Sequence, residues 1–244
     1  MHRIRIQTPK QRAESYQYLD VLHDALVNAW VAAGANPESV VGFDAKPWHF
    51  GALGWRGRDC NFVHTLVVGS PDPDLAEILK QVRPEEIRHV RALTGEAVDF
   101  SKASVEDDPP PVAPGQNQMG ALMLSPLAIS APKAQRNGRK WLTDLSGFPV
   151  GEAVSARLSR LAGRPVQIRA WPDSLYLRTH PRHHVLVRTR RDNKGRESFV
   201  IGMKSPLVLE GAFRDLELAW CAGLGEKNRM GFGCIGTAER GVGR

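Results

Sequence analysis

The feature that most constrains the fold of this 244-residue chain is an order of periodic segments that occurs twice. Arg3 to Thr8 alternates as Arg-Ile-Arg-Ile-Gln-Thr, the period of a half-buried strand. From Tyr16 the period lengthens: Leu19, Leu22, Leu26, Val27 and Trp30 recur at helical spacing and Gly34 supplies a stop, which predicts a helix over 14–33. The segment 40–55 mixes glycines with aromatics and reads as extended, with a turn at Asp44–Pro47. Asn61 to Val68 is apolar and β-branched, a buried strand. Ser70-Pro71-Asp72-Pro73-Asp74 opens a second helix whose inward face is Leu75, Ile78, Leu79 and Val82. Ile87 to Phe100 then reads as one or two strands. The resulting order β-α-β-β-α-β is a ferredoxin-like unit.

Lys102 to Gln118 carries acids and four prolines and reads as a linker. Beyond it the plan repeats. Strands are predicted over 122–129 and 166–171, a helix over 150–161, and a hairpin over 185–191 and 197–203 turned by Asp192-Asn193-Lys194-Gly195. A helix over 212–222 and a last strand over 231–237 complete the unit. The expected fold class is α+β, two tandem ferredoxin-like domains, 1–118 and 119–244.

Between the last helix and last strand lies Gly223-Leu224-Gly225-Glu226-Lys227-Asn228-Arg229-Met230-Gly231-Phe232-Gly233. Glycine takes positive φ without strain and lets backbones approach closely, and successive N–H groups in such a loop can cradle an anion. Lys227 and Arg229 add charge, so the loop suits a phosphate backbone. Its spacing matches neither the dinucleotide fingerprint nor the P-loop, which argues against a nucleotide-binding enzyme. Residues 133–244 hold 21 Lys and Arg against 10 Asp and Glu, whereas residues 1–132 hold 12 against 16. A basic half joined to a mildly acidic one points to a polyanion on the C-terminal side.

Three basic clusters offer phosphate contacts. Arg157, Arg160 and Arg164 share a helix face or lie just past its end; Lys133, Arg136, Arg139 and Lys140 fill a loop; Arg188, Arg190, Arg191, Lys194 and Arg196 sit in the hairpin. Trp141 and Trp171 are candidates to stack on unpaired bases. His180, His183 and His184 are near one another, but no Cys or acid accompanies them, so an RNA-facing loop is expected rather than a metal site. Cys60, Cys221 and Cys234 have no metal-ligand spacing and read as buried thiols. No apolar run has the length of a membrane span, and Met1 to Ile6 turns polar at once, so neither a membrane anchor nor a signal peptide is expected and the default compartment is the cytoplasm.

The glycine loop resembles the C-terminal glycine-rich loop of the RAMP superfamily, in particular that of CRISPR-associated repeat-RNA endoribonucleases, the Cas-six family. Leu124-Ser125-Pro126-Leu127-Ala128-Ile129 is similar to the strand that opens that family's second domain. The arginine-rich, divergent middle resembles members from type IV systems. The resemblance implies a partner, the CRISPR repeat hairpin in precursor RNA, retained as mature crRNA and passed to other CRISPR effector subunits. It implies one metal-independent cut on the 3′ side of the hairpin, with no cofactor: the 2′-OH attacks the scissile phosphate, leaving a 2′,3′-cyclic phosphate and a 5′-OH. It also implies catalytic groups on the first helix and the segment after it, facing the glycine loop. Lys46 matches the position of the family's lysine. The family's histidine precedes that lysine, and here His49 follows it. The family's helix tyrosine falls near His23 or Asp24. The candidates are therefore His49 for proton transfer, Lys46 for the phosphate charge and His23 third, with Arg56 and Arg58 as local cations. The RNA-binding set is Gly223, Gly225, Lys227, Arg229, Gly231 and Gly233 with the basic clusters. The alternative is a RAMP subunit that binds crRNA without cutting it.

Overall fold

The computed structural model describes residues 1–132 and 140–237. Its first sheet contains β1 (His2–Gln7), β2 (Glu14–Tyr16), β3 (His49–Arg56), β4 (Asn61–Ser70) and β7 (Ser104–Asp107). All pairs are antiparallel, and the order β7-β1-β4-β3 is that of a ferredoxin-like sheet, with β2 continuing the β1 side of β4. α1 (Leu19–Ala32) and α3 (Pro73–Leu79) are its two crossover helices. Asp72 caps α3 by accepting from the amides of Asp74 and Leu75, with Pro73 in the first turn, as the acid–proline run predicts. Between α1 and β3 the chain makes a short α2 (Pro37–Val41), capped by Asn36.

The second unit repeats the plan. β8 (Gln118–Met123), β9 (Ile168–Pro172), β12 (Leu207–Gly211) and β13 (Ile235–Gly236) form a sheet in the order β13-β8-β12-β9, crossed by α4 (Val150–Ala162) and α6 (Phe213–Ala222). Its apolar positions build a separate core around Val154, Leu158, Leu209, Leu216 and Trp220, while the first core surrounds Trp30, Trp48, Phe50 and Phe100.

Several expectations are corrected. The first helix begins at Leu19, because residues 14–16 are claimed by β4. The strand that closes the first sheet is β7, inside the expected linker, whereas β5 (Arg88–Val90) and β6 (Ala97–Asp99) form a separate hairpin against α1. The third strand of the second sheet is β12. The hairpin β10 (His184–Arg191) and β11 (Glu197–Met203) is an insertion outside that sheet, preceded by a short α5 (Ser174–Thr179). Periodicity identified the hairpin but not its partner. Val187, Val200 and Ile201 pack into the first unit's core. The Tyr18 hydroxyl donates to Glu197, and Arg91 Nη2 donates to the Arg191 carbonyl at 3.0 Å. The hairpin is thus a strap from the second unit across α1 of the first.

Candidate nucleic-acid and cleavage site

The two motifs singled out in the sequence lie against each other. After Met123 the chain runs on through residues 124–130 as bridged, extended backbone, and the glycine loop is laid along it. Gly233 N donates to Pro126 O at 2.9 Å, Glu226 N to Ala128 O at 2.8 Å, and Cys234 N to the Ser125 hydroxyl at 2.9 Å. The Glu226 carboxylate accepts from the amide and hydroxyl of Ser130. Asn228 lies inside the loop and donates to the carbonyls of Leu224 and Phe232. Leu224 is in the second core and Phe232 in the first, so the loop pins the two units together.

This corrects the expected anion cradle. Gly223, Gly225, Gly231 and Gly233 are all buried, and all four have positive φ. A Cβ on Gly233 would stand 1.8 Å from the Leu224 carbonyl, and one on Gly225 would stand 2.4 Å from that of Ala128. The glycines are required by close backbone approach. The loop presents cations instead: Lys227 is exposed, and Arg229 is partly exposed with Nη1 3.4 Å from Val40 O.

His49 is on β3 but has no exposed surface. It lies on the face of the sheet that meets the second unit, with Nδ1 donating to Cys221 O at 3.0 Å and Nε2 without a hydrogen-bond partner among the described residues. Burial and the nearby Arg3 guanidinium push its pKa down to about 3. A neutral, enclosed imidazole is a packing group here, and the expectation that it transfers protons is not supported by its position. Lys46 is turned to the start of α3, where it pairs with Asp72 at 3.1 Å and with Asp74. Those hydrogen bonds raise its pKa, and its charge is already matched by two carboxylates.

His23, the third candidate, has the open position. It is on the flank of α1, one turn after Leu19, with 23% of its side chain exposed. Its ring stacks on Trp48, centroids 5.6 Å apart. Trp48 Nε1 donates to Val40 O at 3.0 Å, the carbonyl that also accepts from Arg229. His23 Nδ1 lies 2.8 Å from Asp24 Oδ1, and Asp24 Oδ2 lies 3.8 Å from His89 Nε2. A carboxylate only accepts, so Nδ1 carries the proton and Nε2 is left as the free base position. Asp24 was marked in the sequence only as a position near the family's helix tyrosine, and nothing in the spacing along the chain marked His89. The stacking of His23 on Trp48 is a tertiary contact between α1 and the approach to β3.

The basic groups divide. Arg157 faces inward, Nη1 donating to Gly223 O at 2.9 Å, and burial together with Arg160 lowers its pKa to about 10. Arg160 is exposed, and Arg164 pairs with Asp215 at 2.6 Å. Arg56 and Arg58 are exposed at the β3–β4 turn. Lys140 is exposed and lies 4.9 Å over the ring of Trp141, which is itself buried, whereas Trp171 is 40% exposed. Lys133, Arg136 and Arg139 lie outside the described residues. His183 is buried and accepts from Leu145 N at 3.1 Å, and His180 stacks on Tyr176, so these two histidines have structural neighbours.

The sequence model for the C-terminal region of CRISPR associated protein Cas6 matches residues 108–237, from the end of β7 to the end of the glycine loop's following strand. The chain belongs to the Cas6 family. No curated protein matches it by sequence. Among solved structures it is similar to a CRISPR associated protein Cas6 (TM-score 0.62, 15% identity, 97% of this chain and 99% of that one). It is also similar to the product of a Cas6-related gene from Pyrococcus furiosus (TM-score 0.67, 16% identity, 98% and 99%). A third is a Cas6 product complex (TM-score 0.54, 14% identity, 96% and 97%). At these identities the Cas6 likenesses show the tandem fold. No described helix is long and apolar enough to cross a membrane.

Proposed function

We propose that this Cas6-family chain binds the CRISPR repeat hairpin and cuts precursor RNA on its 3′ side through attack of the 2′-OH. The observation that carries the reading is the His23 cluster: an accessible imidazole oriented by Asp24, stacked on Trp48, and joined through the Val40 carbonyl to Arg229 of the glycine loop. His23 Nε2 takes the 2′ proton. The 2′ oxygen bonds to phosphorus, the bond to the 5′ oxygen breaks, and that oxygen takes a proton from water to give a 5′-OH beside a 2′,3′-cyclic phosphate, the proton held by His23 returning to solvent. Arg229 and Lys227 offset charge on the phosphate. Proton transfer of this kind contributes ~10²–10⁴-fold, and fixed cations add to it. The exposed arginines of the β10–β11 strap and Arg160 supply backbone contacts, as suits A-form RNA. Structures titled as a RAMP protein binding different RNA substrates (13% identity) and as a Cas6 product complex support an RNA partner. The test is incubation of the protein with a radiolabelled repeat hairpin in EDTA. Product ending in a cyclic phosphate, lost in His23→Ala, is expected. Intact RNA with wild-type protein would sink the enzyme reading.

One observation favours a second reading, a RAMP subunit that holds crRNA without cutting it. Two of the three catalytic candidates, His49 and Lys46, are engaged in packing and ion pairs. Tight hairpin binding with no cleavage at any pH from 5 to 9 would establish it.

A further inference from the structure

We infer that the groove at the end of β3 and β4 is a second RNA subsite, which holds unpaired nucleotides by stacking their bases on Trp55. This rests on the RNA reading above and adds to it the part of the substrate that lies outside the hairpin. Trp55 is the most exposed of the six tryptophans, at 54%. It is neither a core residue nor isolated. Its ring lies 5.1 Å from that of Phe62 at 17° and 6.3 Å from that of His64 at 27°, a ladder of near-parallel rings.

The backbone builds that ladder. The β3–β4 register shifts after Leu53↔Thr65, so that Gly54 faces Val63 and Trp55 faces Phe62, leaving His64 unopposed. Such a bulge re-aims side chains. A Cβ on Gly54 would stand 1.8 Å from the Phe62 carbonyl, so the shift needs glycine there. The consequence is a large aromatic ring held by its neighbours yet open to solvent. An ordered exposed ring of this kind is suited to extend the stack with a planar ligand.

The surroundings decide which ligand. The groove beside Trp55, about 660 Å³, is also lined by Arg56 and Arg58 from one side and by Arg188, Phe199 and Lys204 of the strap from the other. Arg56 and Arg58 have no ion pair among the described residues; Asp59 also lines the groove, and Arg188 is 3.9 Å from Glu197. Four cations exceed the carboxylates present, so the ligand is anionic as well as planar. Aromatic rings interleaved with cations are the composition that binds single-stranded nucleic acid. A paired base has both faces covered in its duplex, whereas an unpaired one can stack. The groove reaches Leu19 and Gly231, one helical turn from His23. A strand leaving the hairpin near the cleavage site can therefore pass round the edge of β3 into the groove.

The test compares the repeat hairpin alone with the same hairpin carrying an unpaired tail, measured by filter binding at one salt concentration. Wild-type protein is expected to bind the tailed RNA on the order of tenfold more tightly, the worth of one stacked base. Trp55→Ala should lose that gain and keep the affinity for the bare hairpin, while Trp55→Phe should retain most of it. Trp55→Ala binding tailed RNA as tightly as wild type would overturn the subsite, and so would an equal loss on both RNAs. Wild-type protein that binds neither RNA would instead overturn the RNA reading itself.

Discussion

The carboxylate of Asp24 lies 2.8 Å from Nδ1 of His23, on adjacent residues of one helix. Adjacent residues on a helix do not ordinarily face each other, but His23 is drawn over Trp48 on one side and Asp24 reaches back toward it. The pair selects the imidazole tautomer with Nε2 unprotonated. His23→Ala is expected to slow single-turnover cleavage by ~10²–10⁴-fold. Asp24→Asn keeps the size of the side chain but removes the carboxylate that orients the ring through Nδ1, so a smaller loss of rate than in His23→Ala is expected. Equal rates for His23→Ala and wild type would assign the chemistry to arginines.

His49 gives a contrasting prediction. It is neutral when folded, with a pKa near 3 against an unfolded value of about 6.5. The unfolded chain therefore binds the extra proton between these values. His49 has no destabilising effect above about pH 6.5, and stability falls as the pH drops toward 3, by up to about 1.4 kcal/mol per pH unit. In His49→Gln this part of the slope should vanish from urea unfolding measured at successive pH values. Cleavage by the same variant at pH 7 should stay within a few-fold of wild type, after allowance for folding.

The glycine loop separates folding from binding. Gly225→Asp and Gly233→Ala place a Cβ against a carbonyl at a positive φ, and each is expected to lower the melting temperature by many degrees, a cost of several kcal/mol. Lys227→Ala removes only an exposed charge. Its melting temperature should hold while RNA affinity falls and the salt dependence of binding becomes shallower. Calorimetry and filter binding on the same preparations distinguish the two effects.

Arg3 and Asp108, both of the first unit, form a buried pair at its junction with the second, 2.8 Å apart with side chains 0% and 2% exposed. The Arg3 guanidinium also donates to the carbonyls of Trp220 and Ile235 and lies 3.8 Å over the Trp220 ring. Arg3→Met leaves the carboxylate without this partner and is expected to cost about 3–5 kcal/mol in chemical denaturation. The double variant Arg3→Met/Asp108→Asn should recover part of that loss. A change below 1 kcal/mol in Arg3→Met would show that the junction does not depend on the pair.

Elements whose stability is local were legible. α4 and α6 follow from apolar residues at helical spacing, α3 from its Asp-Pro start, and the β10–β11 hairpin from Asp192-Asn193-Lys194-Gly195. The doubled ferredoxin-like order was legible for the same reason. The closing strand β7 was not, because Ser104–Asp107 is short and mostly exposed and is a strand only by pairing with β1. Among candidate site residues, the type and region were readable but not the direction. His49 sits in a β segment between Trp48 and Phe50, and both faces of that part of the sheet are covered, one by the α1 side and one by the second unit.

The amino-acid sequence by itself therefore determined the two-fold β-α-β-β-α-β plan, the family and a cationic glycine loop, since periodicity, turn chemistry and motif composition are local properties. Only the tertiary structure decided which way the loop and the histidines face. The four glycines are spent on close backbone contact because Leu224 and Phe232 must enter different cores. His23 rather than His49 is open because burial, and hence the imidazole's charge, depends on which distant element covers each ring, and no spacing along the chain records that.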